Sequence, residues 1–312
     1  MRYVIARAVT AVLTVLGTLL LVFILVRVLP GDPAIVLMGD YASSASPAQL
    51  QEVRARLGLD KSMPEQFVRY VASVAQGDLG QSFRTRRPVL EEIRDNIGST
   101  IALIVAGLAI ALLIGVPAGV YAALHRNRAG DYIVITGSML ALASPSFWFA
   151  IVLIYLLSFR LGWFPIFGGG QGLESLRFLA LPALVVGTRS AALIARMARS
   201  TMLDVLGQDY MRTARSKGLS GFVVLRRHGL PNAALPILTI VGLDVAFLMS
   251  SAIVIESVFG RPGLGKLLVD AMVGRDYPVV QGAVIVFAVA VVMVNALVDL
   301  LYRVVDPRFS RA

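Results

Sequence analysis

Four stretches of the chain contain no charged residue: 8–26, 96–124, 132–159 and 277–298, which are 19, 29, 28 and 22 residues long. A helix needs about 20 apolar residues to cross the hydrocarbon core of a bilayer. A spanning segment must also satisfy its own backbone hydrogen bonds, which a helix does internally. Composition agrees with this placement. Only 15% of the 312 residues are charged, 57% are hydrophobic and the mean hydropathy is +0.78, against about 25% charged in a soluble domain. The pattern predicts an all-α, polytopic membrane protein.

Two weaker stretches complete the set. Residues 178–198 are apolar apart from Arg189 and Arg196, and 234–258 apart from Asp244 and Glu256. Six transmembrane helices are therefore expected, at roughly 8–29, 97–124, 132–158, 178–198, 234–258 and 280–302. The first follows Arg2 and Arg7 as a signal peptide would, but Leu29-Pro30-Gly31-Asp32-Pro33 is no small-residue cleavage site, so it reads as retained. There is no cysteine and there are only two histidines, His125 and His228, which removes disulfides, thiolate catalysis and the usual zinc spacings.

Six crossings put both termini on one side. If that side is the cytoplasm, it holds 14 basic residues against four acidic ones, and the rest of the chain is neutral. The formal charge of +10 then reports topology, as positive-inside loops do, and not nucleic acid. Two connections are long: an external segment, 30–95, with a helix-like run from Pro64 to Val71, and a cytoplasmic loop, 199–233. No internal repeat divides the chain, so 1–312 is expected to be a single transmembrane domain. Trp163 suits an interfacial anchor and Trp148 a packed site.

The cytoplasmic loop carries the most specific pattern. Asp209 suits an N-cap, Arg215 and Lys217 fall in the last turn, and Gly218 suits the left-handed residue that closes a helix. Ser220 can start a second short helix ending at Arg226-Arg227-His228-Gly229. A helix of two turns is unstable alone, so it docks on something. The small residues Thr213, Ala214 and Ser216 admit a protein surface, while Arg212, Arg215 and Lys217 would equally suit anionic headgroups. The residues alone leave both readings open.

Tyr210-Met211-Arg212-Thr213-Ala214-Arg215-Ser216-Lys217-Gly218, followed by Leu230-Pro231, resembles the EAA motif of binding-protein-dependent ABC importer permeases, in its dipeptide/oligopeptide form. Arg212 and Thr213 stand where the general pattern has glutamate and alanine, and His228 where it has isoleucine. The resemblance extends along the chain. It includes Leu29-Pro30-Gly31-Asp32-Pro33, Leu57-Gly58-Leu59-Asp60, Gly77-Asp78-Leu79-Gly80, Pro145-Ser146-Phe147-Trp148, Glu256-Ser257-Val258-Phe259 and Pro262-Gly263-Leu264-Gly265. It implies a type I ABC importer permease fold in the cell membrane. It also implies a translocation role and an ATPase-coupling site at Tyr210, Arg212, Thr213, Ala214, Arg215, Lys217, Gly218 and Leu219. The implied partners are a homologous second permease subunit, two cytoplasmic ATPase subunits that hold the ATP and magnesium, and an extracytoplasmic substrate-binding protein. No cofactor is implied for this chain. The implied cargo is a dipeptide or oligopeptide, with glutathione and nickel complexes carried by other members of the branch.

Gly260-Arg261-Pro262-Gly263-Leu264-Gly265-Lys266-Leu267 imitates a P-loop but has Leu267 where a hydroxyl should meet magnesium, so it reads as a turn; Gly168-Gly169-Gly170 reads as a loop. Arg189 and Asp244 both fall about ten residues from the cytoplasmic ends of their spans, hence at a common depth of roughly 15 Å. They form an intramembrane pair, line the passage, or meet another subunit; Glu256 is the third charge of this kind. A secondary transporter would use these charges for coupling but is often built from internal repeats. An intramembrane enzyme would need a nucleophile and base that the chain lacks.

Overall fold

The structure, a computed structural model, describes residues 2–28, 33–38, 41, 45–56, 58–168 and 174–305. Outside these lie the 29–32 part of the first motif, Leu57, Gly169, Gly170 and the end of the chain from Asp306. The described residues are almost wholly helical, with one isolated bridge, Gln81 to Pro88. The helices in order are α1 (Arg2–Val28), α2 (Pro33–Met38), α3 (Pro47–Arg56), α4 (Met63–Ala75), α5 (Val89–Leu124), α6 (Ala129–Ala143), α7 (Ser146–Leu153), α8 (Glu174–Leu206), α9 (Asp209–Ser216), α10 (Gly221–Val224), α11 (Leu230–Val258), α12 (Leu264–Val273) and α13 (Tyr277–Val305).

Five of these runs are long and apolar enough to cross a membrane: α1, α5, α8, the run Gly221–Val258 containing α11, and α13. The sixth expected span, 132–158, is not one helix. It is α6 and the α7 segment, bent by 106° across Ser144-Pro145. Proline cannot donate to the preceding turn and pushes the residue before it out of the helical region, and Ser144 has ψ 128°. α7 runs into a π-helical segment, Ile154–Arg160. The second short cytoplasmic-loop helix is likewise corrected. α10 has Ser220 as N-cap, but passes through a π-helical turn, Leu225–Gly229, directly into α11.

The chain forms two compact units, one of 1–98 with 263–292 and one of 99–262 with 293–312. In the second unit α8 packs against α11, α6 and α7. Its neighbour α5 comes so close that a Cβ at Gly115 would lie 2.6 Å from Ala191 O. A core of Ala111, Ile194, Ala198, Met202, Met211 and Val224 joins the membrane helices to α9 and α10. At the head of α6 the buried Asp131 carboxylate accepts from Arg199 Nε at 2.5 Å and Nη2 at 2.7 Å, and from Asn127 N at 3.0 Å. Trp148 is exposed, as Trp163 is, and not packed as expected.

The first unit is built on α1 and α4. Proline near the start of α4, behind the N-cap Ser62, suits the first turn. Phe23 of α1 is buried edge-on against Phe67 of α4 at 5.3 Å and lies 5.9 Å from the Tyr70 ring. A loop follows, clamped from the α12–α13 turn: the buried Asp276 carboxylate accepts from Ser82 Oγ at 2.5 Å and from Phe83 N at 3.0 Å.

Candidate functional site

The loop between α8 and α11 folds as a short helix standing on two buried side chains. α9 begins at Asp209 with Gln208 as its N-cap; Asp209, expected to cap, is instead the first helical residue, where its charge still opposes the helix dipole. Met211 and Ala214, three residues apart and so on one face, are buried against Met202, Val205 and Val224. Ala214 is therefore not part of an outward surface, contrary to the expectation. The remaining expected residues do face out: Tyr210, Arg212, Thr213, Arg215, Lys217, Gly218 and Leu219 are exposed.

The end of the helix depends on Gly218. Its φ is +77° and its N–H bonds to Arg215 O at 3.0 Å. A side chain there would touch nothing within 4 Å, so backbone conformation alone favours glycine. Arg212 pairs with Asp209 at 3.8 Å with both side chains largely in solvent. Phe222, 71% exposed at the start of α10, adds an aromatic ring beside this surface that the sequence did not single out. Its only signal was an apolar residue directly after a Ser-Gly start.

The intramembrane charges are arranged differently from a simple pair. Arg189 and Asp244 form no ion pair within 4 Å among the described residues. The Arg189 guanidinium instead lies 3.5 Å from the centre of the Phe247 ring, one turn along α11 from Asp244. Asp244 is buried close to the equally buried Ser190 hydroxyl of α8, with no well-formed hydrogen bond at its Oδ2. Glu256 is fully buried and accepts from Thr100 Oγ1 at 2.6 Å, which ties α11 to α5. Its carbonyl accepts from Arg261 N at 2.9 Å. The pseudo-P-loop is a turn, with Gly260 at φ +56° and α12 starting at Leu264.

Five helices long and apolar enough to span a membrane, with one further pair broken by a bend, define the class: a polytopic helical membrane protein. The family model described as "Binding-protein-dependent transport system inner membrane component" matches residues 115–311, and its N-terminal companion matches residues 1–104. The chain belongs to this family and is a permease subunit of a binding-protein-dependent ABC importer. It is 42% identical to the di/tripeptide transport system permease protein DppB of Pseudomonas aeruginosa, over 95% of this chain and 94% of that one. Identity to the glutathione transport system permease protein GsiC of Escherichia coli K12 is 40%, over 98% of each. The dipeptide transport system permease protein DppB of the same strain is 38% identical, over 99% and 98%. Among solved structures, the MetNI methionine ABC transporter in its inward facing native crystal form contains a chain with TM-score 0.57 and 17% identity. The match covers 69% of this chain and 96% of that one. This likeness supports the type I importer fold.

Proposed function

We propose that this chain forms part of the passage for short peptides, with α9 and the Gly218 turn transmitting the movements of a cytoplasmic ATPase to the membrane helices. The observation that carries the coupling role is the division of α9 into two faces. Tyr210, Arg212, Thr213, Arg215, Lys217 and Leu219 lie outward, while Met211 and Ala214 enter the same core as Met202 and Ile194 of α8. A push on the outer face therefore reaches α8 through packed side chains, which deform little. The peptide cargo is supported by relatives that are di/tripeptide, dipeptide and glutathione permeases across nearly their whole length.

The remaining assignments follow. ATP and magnesium belong to two ATPase subunits, cargo comes from an external binding protein, and a second, homologous permease completes the passage. The two compact units act together as one permease domain. Both termini lie in the cytoplasm, because that orientation puts the +10 excess on the inner face. Arg189 and Asp244 line the passage, and Glu256 holds the helices around it.

Gly218→Pro tests the coupling. Proline holds φ near about −65°, against +77° here. ATP-driven peptide uptake by the reconstituted importer should fall at least about tenfold, while insertion and subunit assembly persist. Uptake at the native rate would overturn the reading.

A further inference from the structure

The first unit contains a cavity of about 430 Å³, walled by the end of α1, by α4, by the 78–83 loop and by the first turns of α13. That is within the range of small-molecule sites, about 300–1,000 Å³. Its chemistry is uneven. Of the three arginines in its wall, two are engaged: Arg69 pairs with Glu65 at 2.8 Å, and Arg86 donates to Leu37 O at 2.9 Å. Arg27 has no carboxylate within 4 Å among the described residues, yet it is held in one pose. Its Nε and Nη2 donate to Gln66 Oε1 at 3.1 and 2.8 Å, and its guanidinium lies 3.5 Å from the Phe23 ring centre. Gln66 is itself fixed, donating from Nε2 to Lys61 O at 2.9 Å.

A half-buried cation oriented by a neutral amide leaves its charge available to an anion. The Tyr70 hydroxyl lies in the same wall, buried and without a hydrogen-bond partner. Burial pushes this phenol above its ordinary range, against the opposing pull of Arg27, so the hydroxyl stays protonated and able to donate. The acid of the described lining is Asp78. It uses one oxygen to accept from Gly80 N at 2.9 Å and is otherwise exposed. Leu59, Leu79 and Phe83 supply apolar wall between these groups.

We propose that this cavity binds a short peptide as a zwitterion, its terminal carboxylate on Arg27 and the Tyr70 hydroxyl, its ammonium on Asp78. The choice of a peptide rests on the transport reading above; the demand for a carboxylate rests on the cavity alone. A phospholipid phosphate is the other source of an anion beside the end of a membrane span, and the test separates the two.

The full chain with its partner subunits is placed in nanodiscs of phosphatidylcholine, with no binding protein added. Equilibrium binding of alanyl-alanine and of its C-terminal amide is then measured. The acid should bind about tenfold more tightly than the amide, the size of effect expected of a hydrogen-bonded charge pair. Tyr70→Phe and Arg27→Gln should each weaken the acid by a similar factor and leave the amide unchanged, and Asp78→Asn should weaken both alike. Tyr70→Phe removes only a hydroxyl without a partner, so it decides the matter even if Arg27→Gln fails to assemble. Equal binding of acid and amide, or no effect of Tyr70→Phe, overturns the proposal. So does competitive displacement of the peptide by phosphatidylglycerol in the disc. ATP-driven uptake with the binding protein present tests the transport reading separately. Uptake without acid-over-amide discrimination sinks the cavity site alone, and discrimination without uptake sinks only the transport reading.

Discussion

α5 and α8 run side by side in the second unit and meet opposite surroundings. In its most apolar stretch α8 is 61% buried within the fold, whereas α5 is 22% buried. α5 turns Ile101, Val105 and Leu113 outward and meets α8 along small residues such as Gly115. α8 carries Arg189, Ser190, Arg196 and Arg199. The difference teaches where polarity is allowed. A lipid-facing helix has only hydrocarbon beside it, so every charge there is costly. A helix enclosed by protein can find partners, as Arg199 finds Asp131 and as Glu256 on α11 finds Thr100. Of these two spans the less hydrophobic, α8, is thus the more enclosed.

The largest expected effect tests whether charges on the inner helix depend on such partners. Arg199→Ala leaves Asp131, 1% exposed, without its bidentate partner. Losing one member of a buried pair costs about 3–5 kcal/mol. Arg212→Ala, which breaks an exposed pair at 3.8 Å, should cost under about 1 kcal/mol. Thermal unfolding of the purified chain in detergent reads both, and equal shifts would break the comparison.

A smaller effect is expected from volume. Gly115→Val drives a branched side chain into the α8 backbone at Ala191, and overpacking of this kind costs about 1–3 kcal/mol. Leu113→Val, two residues earlier on the 75% exposed face, should stay within about 0.5 kcal/mol. The same unfolding measurement checks it. If both changes are tolerated alike, the close approach of α5 and α8 is wrong.

The contrast between these helices also explains what the sequence could disclose. Freedom from charge picks out spans with little surface buried in this chain, so α1, α5 and α13 were plain, while α8 and α11 ranked as weaker candidates because of the residues that their burial permits. The same criterion is blind to backbone geometry. It joined α6 and α7 into one span, although Pro145 stood in the middle as a signal of the break. In the loop, Gly218 was legible because a left-handed residue has a narrow chemical signature. The inward turn of Ala214 follows from its three-residue spacing to Met211, but which face of α9 is buried depends on Met202 and Val224. The bonds from Arg199 to Asp131 and from Thr100 to Glu256 join residues 68 and 156 positions apart, and no local pattern announces them.

The smallest expected change in stability comes from Asp244, an intramembrane acid with no ion pair within 4 Å among the described residues. Asp244 is buried, its Oδ2 has no well-formed hydrogen bond, and Arg189 is turned onto Phe247 instead. A buried carboxylate with one oxygen unsatisfied and no ion pair is a cost to the fold, so removing its charge while keeping its shape relieves part of that cost. Asp244→Asn should therefore leave the unfolding midpoint unchanged or raise it, opposite in sign to Arg199→Ala. If the residue lines the passage, the same variant should raise the KM for peptide uptake while the assembled importer hydrolyses ATP normally. A loss of stability as large as that of Arg199→Ala would show that Asp244 is ion-paired in the membrane. The distinction between satisfied and unsatisfied charges on the inner helices would then fail, even though both lie where protein, and not lipid, surrounds them.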